Sequence, residues 1–255
     1  MKKWFAVAAI AATVAAGAAQ AKEWKEVRFG VEGAYPPFSK TEADGSVSGF
    51  DVDIANALCK EMDVKCRLVP QDWDGIIPSL LARKYDAIIA AMSITEDRKK
   101  KVDFTNKYAL IPNKFIAKKG ANLDFNSLDG VKIGVQRATT HDKYLTDNYD
   151  NVDIVRYGSF DEAYLDLANG RISAVLGDAS ALEGGVLQKS GGENYEFVGP
   201  SLTDPTWFGE GFGIALRKQD KDLTNKINEA LASLRDKGVY QEIQAKYFEY
   251  DVYGE

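Results

Sequence analysis

From residue 22 onward, short apolar runs give way repeatedly to stretches in which apolar residues recur every three to four positions. The runs have the period of β-strands and the stretches that of amphipathic helices. Val27 to Glu32 (VRFGVE) reads as a strand, Asp51 to Met62 as a helix burying Ile54, Ala55, Leu58 and Met62, and Val64 to Val69 as a second strand. Asp74 can cap a helix through Ala82, Ala87 to Ala91 reads as a third strand, and Thr95 opens a helical turn carrying Arg98. Ser159-Phe-Asp-Glu162 is a capping box, whose hydroxyl and carboxylate serve each other's backbone N–H groups; it predicts a helix to Asn169, stopped by Gly170. Apolar stripes over Asp222 to Lys237 and around Tyr240 to Phe248 predict two C-terminal helices. This alternation is the mark of an α/β fold with mostly parallel strands.

The pattern also repeats. Val27-Arg-Phe-Gly-Val-Glu-Gly-Ala-Tyr35 aligns with Val131-Lys-Ile-Gly-Val-Gln-Arg-Ala-Thr139, and the segment Arg83 to Ser93 aligns with Gly170 to Ser180. Two matches in one order predict two lobes on one plan, with chance likeness between short Val/Ile/Gly strings as the alternative. Open α/β sheets bind ligands beyond the carboxyl ends of their strands. The cleft between such lobes would therefore be lined by Glu32 and Tyr35, Ala90 to Ser93, Gln136 to Thr140, and Asp178. The chain should cross between lobes near Tyr108 to Pro112 and again near Gly199 to Gly209, and two such strands make a hinge.

Residues 1–21 change the setting. Two lysines, an Ala/Val/Ile-rich stretch and small residues at Ala19 and Ala21 are the three regions of a secretory signal peptide, with a retained N-terminal anchor as the alternative. The mature chain would begin at Lys22, without the N-terminal cysteine that a lipid anchor needs. In an oxidising compartment Cys59 and Cys66, the only cysteines, are expected to form a disulfide; a redox-active pair is the alternative, although the spacing is not C-x-x-C. The chain carries 32 Lys+Arg against 38 Asp+Glu, a formal charge of -6 that loss of Lys2 and Lys3 takes to -8. That is the wrong sign for neutralising phosphates, so nucleic acid is not an expected partner. One His and two Cys are too few for a usual zinc site, carboxylate metal sites staying formally open, and no cofactor is expected.

The predicted cleft residues carry complementary chemistry. Arg98 can hold a carboxylate through two parallel hydrogen bonds. Thr139 and Thr140 open a helix whose free N–H groups make a second carboxylate seat. Asp178 can accept from an ammonium. Glu32, with Tyr35 and Trp73, offers a carboxylate and aromatic faces to a second cation. Each has an ordinary reading too: a surface ion pair, an N-cap, a loop-capping acid, a solvated strand-end acid, core aromatics. Together they match the carboxylate, the ammonium and the distal cation of a basic amino acid.

The ordered strings Ala34-Tyr-Pro-Pro-Phe38, Gly49-Phe-Asp-Val-Asp53, Trp73-Asp-Gly-Ile-Ile-Pro-Ser79, Ser93-Ile-Thr-Glu-Asp-Arg98, Gly134-Val135, Asp178 and Lys246-Tyr-Phe248 resemble the periplasmic amino-acid-binding proteins of ABC importers. They are most similar to the lysine/arginine/ornithine- and histidine-binding branch. The resemblance implies a two-lobed type II periplasmic binding protein fold, two Rossmann-like lobes on a two-strand hinge, with lobe I formed by residues 22–110 and 209–255 and lobe II by 111–208. It also implies ligand-induced closure and a Cys59–Cys66 disulfide. By the same likeness Arg98 grips the ligand α-carboxylate with backbone help from Ser93 and Thr140. Asp178 and the Ser93 hydroxyl take the ammonium, Glu32 faces the distal cation, and Tyr35 and Trp73 sandwich the stem. The sequence departs from the branch at Glu32, where Asp is common, at Ala90 and Ala91, where serines are common, and at Gln136, where some members have Leu.

The resulting expectation is a monomeric periplasmic receptor of a Gram-negative bacterium that captures arginine or ornithine, with lysine or histidine also open, for an inner-membrane ABC permease. No G-x-x-x-x-G-K-[ST] motif occurs in the chain itself. An opine such as octopine or nopaline is the alternative ligand, since Ala90 and Ala91 make room. A dehydratase on the same scaffold, with Glu32 or Asp178 as general acid, is the alternative from another class. Docking to a separate chemoreceptor stays open.

Overall fold

The computed structural model describes residues 23–254; the signal-peptide reading of residues 1–21 lies outside them. The chain begins with β1 (Glu26–Val31), the short strands β2 (Ala34–Tyr35), β3 (Ser39–Thr41) and β4 (Val47–Ser48), and α1 (Phe50–Glu61). Then come β5 (Lys65–Pro70), α2 (Trp73–Leu81), β6 (Ala87–Ile88), α3 (Glu96–Lys99) and β7 (Asp103–Ala109). A second unit follows: β8 (Asn113–Lys118), β9 (Lys132–Gln136), α4 (Thr140–Asn148), β10 (Asp153–Tyr157), α5 (Phe160–Ala168), β11 (Ala174–Asp178), α6 (Ala179–Leu182) and β12 (Tyr195–Leu202). After α7 (Pro205–Phe208) the chain returns through β13 (Phe212–Leu216), α8 (Lys221–Asp236) and α9 (Val239–Gln244).

Two five-stranded sheets result, in the orders β5-β1-β6-β13-β7 and β10-β9-β11-β8-β12. They superpose strand for strand in topology. In each, the first three strands are parallel, and the remaining two pairings are antiparallel. The sequence repeat falls on the equivalent strands β1 and β9, and β6 and β11. Its glycines have a packing cause: a Cβ on Gly30 would lie 2.6 Å from the Tyr85 ring, and one on the equivalent Gly134 would lie 2.6 Å from Ile172, the residue equivalent to Tyr85. Strand and helix exit approach closely in both lobes because neither glycine has a side chain.

The chain passes between the sheets twice, at 110–112 and at 203–211. The second crossing starts later than the sequence pattern predicts, because β12 runs on to Leu202, and it holds a helical turn, α7, whose Pro205 follows the Asp204 cap. The C-terminal helices return to the first lobe. Leu223, Ile227, Ala230, Leu231 and Leu234 make the buried stripe of α8, which packs on α1 and β7. The Tyr240 hydroxyl donates to the Tyr108 carbonyl at 2.6 Å, and the Leu110 N–H donates to the Val252 carbonyl at 2.6 Å, so the C-terminal segment braces the first crossing.

Three local boundaries differ from the pattern. Helix α2 starts at Trp73 with Asp72 as its cap residue, which leaves Asp74 in the first turn, where a carboxylate favours the helix dipole. Strand β1 stops at Val31, so Glu32 stands just past the ladder. Strand β6 stops at Ile88 rather than Ala91. Ala91 has φ 45°, and its N–H donates to Asp51 Oδ2 at 2.9 Å and to the Tyr108 hydroxyl at 3.0 Å instead of to a neighbouring strand. Cys59 and Cys66 are joined as a disulfide between the end of α1 and β5.

Candidate functional site

One cavity between the lobes is lined by Glu32, Tyr35, Trp73, Ala90, Ala91, Ser93, Arg98, Gln136, Thr139, Thr140 and Asp178, whereas Met92, Arg137 and Ala138 of the predicted strand-end segments do not line it. About 290 Å³ inside it is free of protein atoms, at the small end of the range for ligand pockets. Ten of the eleven are buried; Arg98 is intermediate, reached also from grooves on the outer face. His141 and Phe160 complete the lining.

Each side chain is delivered by a strand end or a helix start. Thr95 caps α3, its hydroxyl accepting from the Arg98 N–H, and the Arg98 Nη1 donates to the Ser93 carbonyl at 2.9 Å. The guanidinium also lies 5.2 Å from the centroid of the Trp73 ring, within cation–π reach. Its pKa is pushed down to about 10 by desolvation, with Asp178 opposing, and it remains a cation. In the other lobe Thr139 caps α4, accepting from the Asp142 N–H while its own hydroxyl donates to the Gln136 carbonyl at 2.7 Å. The first-turn N–H groups of Thr140 and His141 have no acceptor among the described residues. An anion placed between Arg98 and this turn would meet a guanidinium on one side and the positive end of a helix on the other.

The acids behave differently. Asp178 ends β11 and accepts from the Tyr35 hydroxyl of the opposite lobe; burial pushes its pKa up to about 7, against the Tyr35 bond and the Arg98 charge. Glu32 is also raised to about 7 by burial; the Gln136 bond lowers it, while the charges of Asp72, Asp161 and Asp74 raise it further. A carboxylate surrounded by other acids and held out of water is stabilised by a cation brought to it. Asp51, behind the cavity, is raised to about 7 by burial and holds Ala91 from below.

Several bonds join the lobes around the cavity. Gln136 Nε2 donates to Glu32 Oε1 at 2.5 Å, and Trp73 Nε1 donates to the Ala138 carbonyl at 3.4 Å. At the rim Arg137 pairs with Asp74 at 2.9 Å. Glu32 and Gln136 occupy equivalent positions of the repeat, as do Ala91 and Asp178, so the cavity is ringed by pseudo-symmetric strand ends with different chemistry.

The sequence model of the bacterial extracellular solute-binding proteins, family 3, matches residues 27–250. The chain belongs to this family. Among curated family 3 relatives it is 51% identical over 234 residues, 90% of each chain, to an L-arginine-binding protein of Pseudomonas aeruginosa. It is 41% identical over 233 residues, again 90% of each, to the lysine/arginine/ornithine-binding periplasmic protein of Escherichia coli. A solved periplasmic binding protein of Salmonella typhimurium, described for its high arginine specificity, superposes with a TM-score of 0.83 at 36% identity, covering 88% of this chain and 99% of that one. The two-lobed type II architecture expected from the sequence is the one this chain shares with that solved periplasmic binding protein.

Sequence reasoning missed two cavity residues of this family 3 protein and one behind them. Phe160 is the first residue of the capping-box helix and packs with its ring tilted against Tyr35, centroids 5.0 Å apart. His141 follows Thr140; burial pushes its pKa down to about 3, so it is neutral, and its Nε2 lies 2.7 Å from Asn113 Oδ1. Asn113 Nδ2 donates to the Leu202 carbonyl at 3.2 Å, so its oxygen is the acceptor and His141 carries its proton on Nε2. Asp51, in the Gly49-Phe-Asp-Val-Asp53 string, was legible as a motif member but not as a partner of Ala91.

Proposed function

We propose that this protein is the substrate-binding component of an ABC importer and captures basic L-amino acids, arginine and ornithine foremost, by closing two lobes on them. The observation that carries the reading is the charge inventory of the lining: two carboxylates, Glu32 and Asp178, against one guanidinium, Arg98. A basic amino acid brings two cations and one carboxylate, so closure yields three buried opposite-charge pairs and no excess. A neutral amino acid would leave one buried carboxylate without a partner, which is costly in a desolvated site.

In this reading Arg98, the Ser93 and Thr140 backbone and the α4 N-terminus hold the α-carboxylate. Asp178 and the Ser93 hydroxyl take the ammonium, Tyr35 and Trp73 face the aliphatic stem, and Glu32 and Gln136 meet the distal cation. Ala90 and Ala91 line the wall without a hydroxyl. Lobe I comprises residues 22–110 and 209–255 and lobe II residues 111–208, rotating about the two crossings. The protein works in the periplasm of a Gram-negative bacterium after removal of residues 1–21, as a monomer, and hands its ligand to an inner-membrane permease. It binds and does not transform, since this reading assigns both acids that could serve as general acids to the two cations of the ligand. No helix among the described residues is long and apolar enough to cross a membrane. The reading is tested by thermal shift of refolded protein against the twenty amino acids, ornithine, citrulline, octopine and nopaline, since a ligand of the native state raises the melting temperature. Shifts with arginine and ornithine but not citrulline support it, and shifts confined to opines or neutral amino acids overturn it.

A further inference from the structure

Charge alone does not account for the distal end of the cavity. Gln136 Nε2 has two N–H bonds and spends both: one on Glu32 Oε1 at 2.5 Å, the other on the Gly158 carbonyl at 3.0 Å. A turned amide would set its oxygen against two acceptors, so the bonding pattern itself fixes which end points where. The Gln136 backbone is held as well, its carbonyl accepting from the Thr139 hydroxyl at 2.7 Å. The neighbouring aromatic donors are also used elsewhere, Trp73 Nε1 on the Ala138 carbonyl and the Tyr35 hydroxyl on Asp178. What remains at this end is Gln136 Oε1 and Glu32 Oε2, neither with a donor among the described residues and neither sealed off, in side chains that line the cavity.

We infer that Gln136 is a specificity-determining residue, locked by the Gly158 carbonyl and Glu32 so that the distal subsite presents acceptors only and rejects side chains ending in a ureido or amide group. The inference rests on the basic-amino-acid reading and sharpens it. A guanidinium or ammonium has donors and no acceptor, so it matches two bare oxygens. Citrulline has nearly the shape of arginine but replaces one terminal nitrogen by a carbonyl oxygen, which would find no donor there. A buried acceptor without a donor is penalised far more than a missing methylene. The Gln136–Glu32 bond spans the lobes, so it forms on closure, and discrimination is made in the closed form.

The test is calorimetric titration of the full mature protein, wild type and Gln136→Met, with arginine and with citrulline. Methionine keeps the length of the side chain and removes both ends of the amide. In the wild type citrulline should bind about 100-fold or more weakly than arginine, and in Gln136→Met the ratio should shrink by about 10-fold, with the ligand-free melting temperature lowered only by the loss of the Gly158 bond. An unchanged ratio in a variant that still unfolds cooperatively would overturn the inference. A measurement without substitution stands beside it: in the arginine complex both side-chain amide protons of Gln136 should exchange slowly with solvent by NMR, and fast exchange would equally overturn it. Failure of the wild type to bind any basic amino acid would instead bring down the underlying reading.

Discussion

Replacing Glu32 by Gln isolates one charge while preserving shape. The substituted amide can still accept from Gln136 Nε2 at the position of Oε1, so the interlobe bond survives and the cavity keeps its outline. The lining changes from two carboxylates and one guanidinium to one of each. With arginine bound, the closed site then holds an uncompensated cation; with citrulline it is balanced. Two unit charges 4 Å apart interact by about 4 kcal/mol at an effective dielectric of 20, and a hydrogen bond to a charged group contributes about 1.5–3 kcal/mol net. A loss of about 2–4 kcal/mol follows, equivalent to about 30- to 1,000-fold in the arginine dissociation constant. Citrulline affinity should hold or improve. Calorimetry at pH 8 is the proper assay, because the Glu32 carboxyl, raised to about 7 by burial, is then ionised in the wild type. Equal weakening of arginine and citrulline would refute the reasoning, since it would mean that shape was lost and not charge; so would an unchanged arginine affinity.

Three other outcomes follow from the same structure. Arg98→Ala should abolish binding of neutral and basic amino acids alike in equilibrium dialysis, and Arg98→Lys should restore little of it, because an ammonium cannot reproduce the planar fork; retained arginine binding in Arg98→Ala would contradict the assigned role. Arg217 is buried among the Leu80 and Tyr85 carbonyls and the Asp86 and Asp220 carboxylates, so Arg217→Ala should cost about 3–5 kcal/mol in denaturant unfolding without changing the ligand preference of whatever fraction folds. Asp51, buried behind the cavity within one lobe, is raised to about 7, so the folded protein binds a proton that the unfolded chain does not, and the ligand-free protein should become more stable as pH falls from 8 to about 6.5, by at most about 1.4 kcal/mol per pH unit. Below that His141, pushed down to about 3, opposes the trend because only the unfolded chain takes up its proton; a melting temperature that falls between pH 8 and 6.5 would contradict the burial of Asp51.

The fold was legible where periodicity and capping agreed. The capping box at Ser159 and the Gly170 stop gave α5 to within a residue, and the repeated Val-x-x-Gly-Val strings led to two sheets of one topology. Most of the cleft residues were legible for a related reason: strand ends in equivalent units converge, so equivalence in sequence translates into proximity in space; Trp73 and Arg98, which sit at helix starts, were legible only from their chemistry and from the resemblance. What escaped depended on contacts between elements distant in the chain. Strand β6 ended early because Asp51 and Tyr108 claim the Ala91 N–H, a competition that no local propensity records. Phe160 and His141 reached the cavity because helix starts, and not only strand ends, face it. The Gly158 bond that fixes the Gln136 amide is a backbone contact, invisible to residue type.

The central claim is that the closed cleft is built for a basic amino acid. Its most direct test is calorimetric titration of the mature protein, freed of bound ligand by unfolding and refolding, with L-arginine and L-citrulline at pH 8. The account predicts arginine binding in the micromolar range or tighter, about -8 kcal/mol or better, with citrulline at least about 100-fold weaker. No arginine binding below about 1 mM, weaker than roughly -4 kcal/mol, or citrulline binding as tight as arginine, would contradict it.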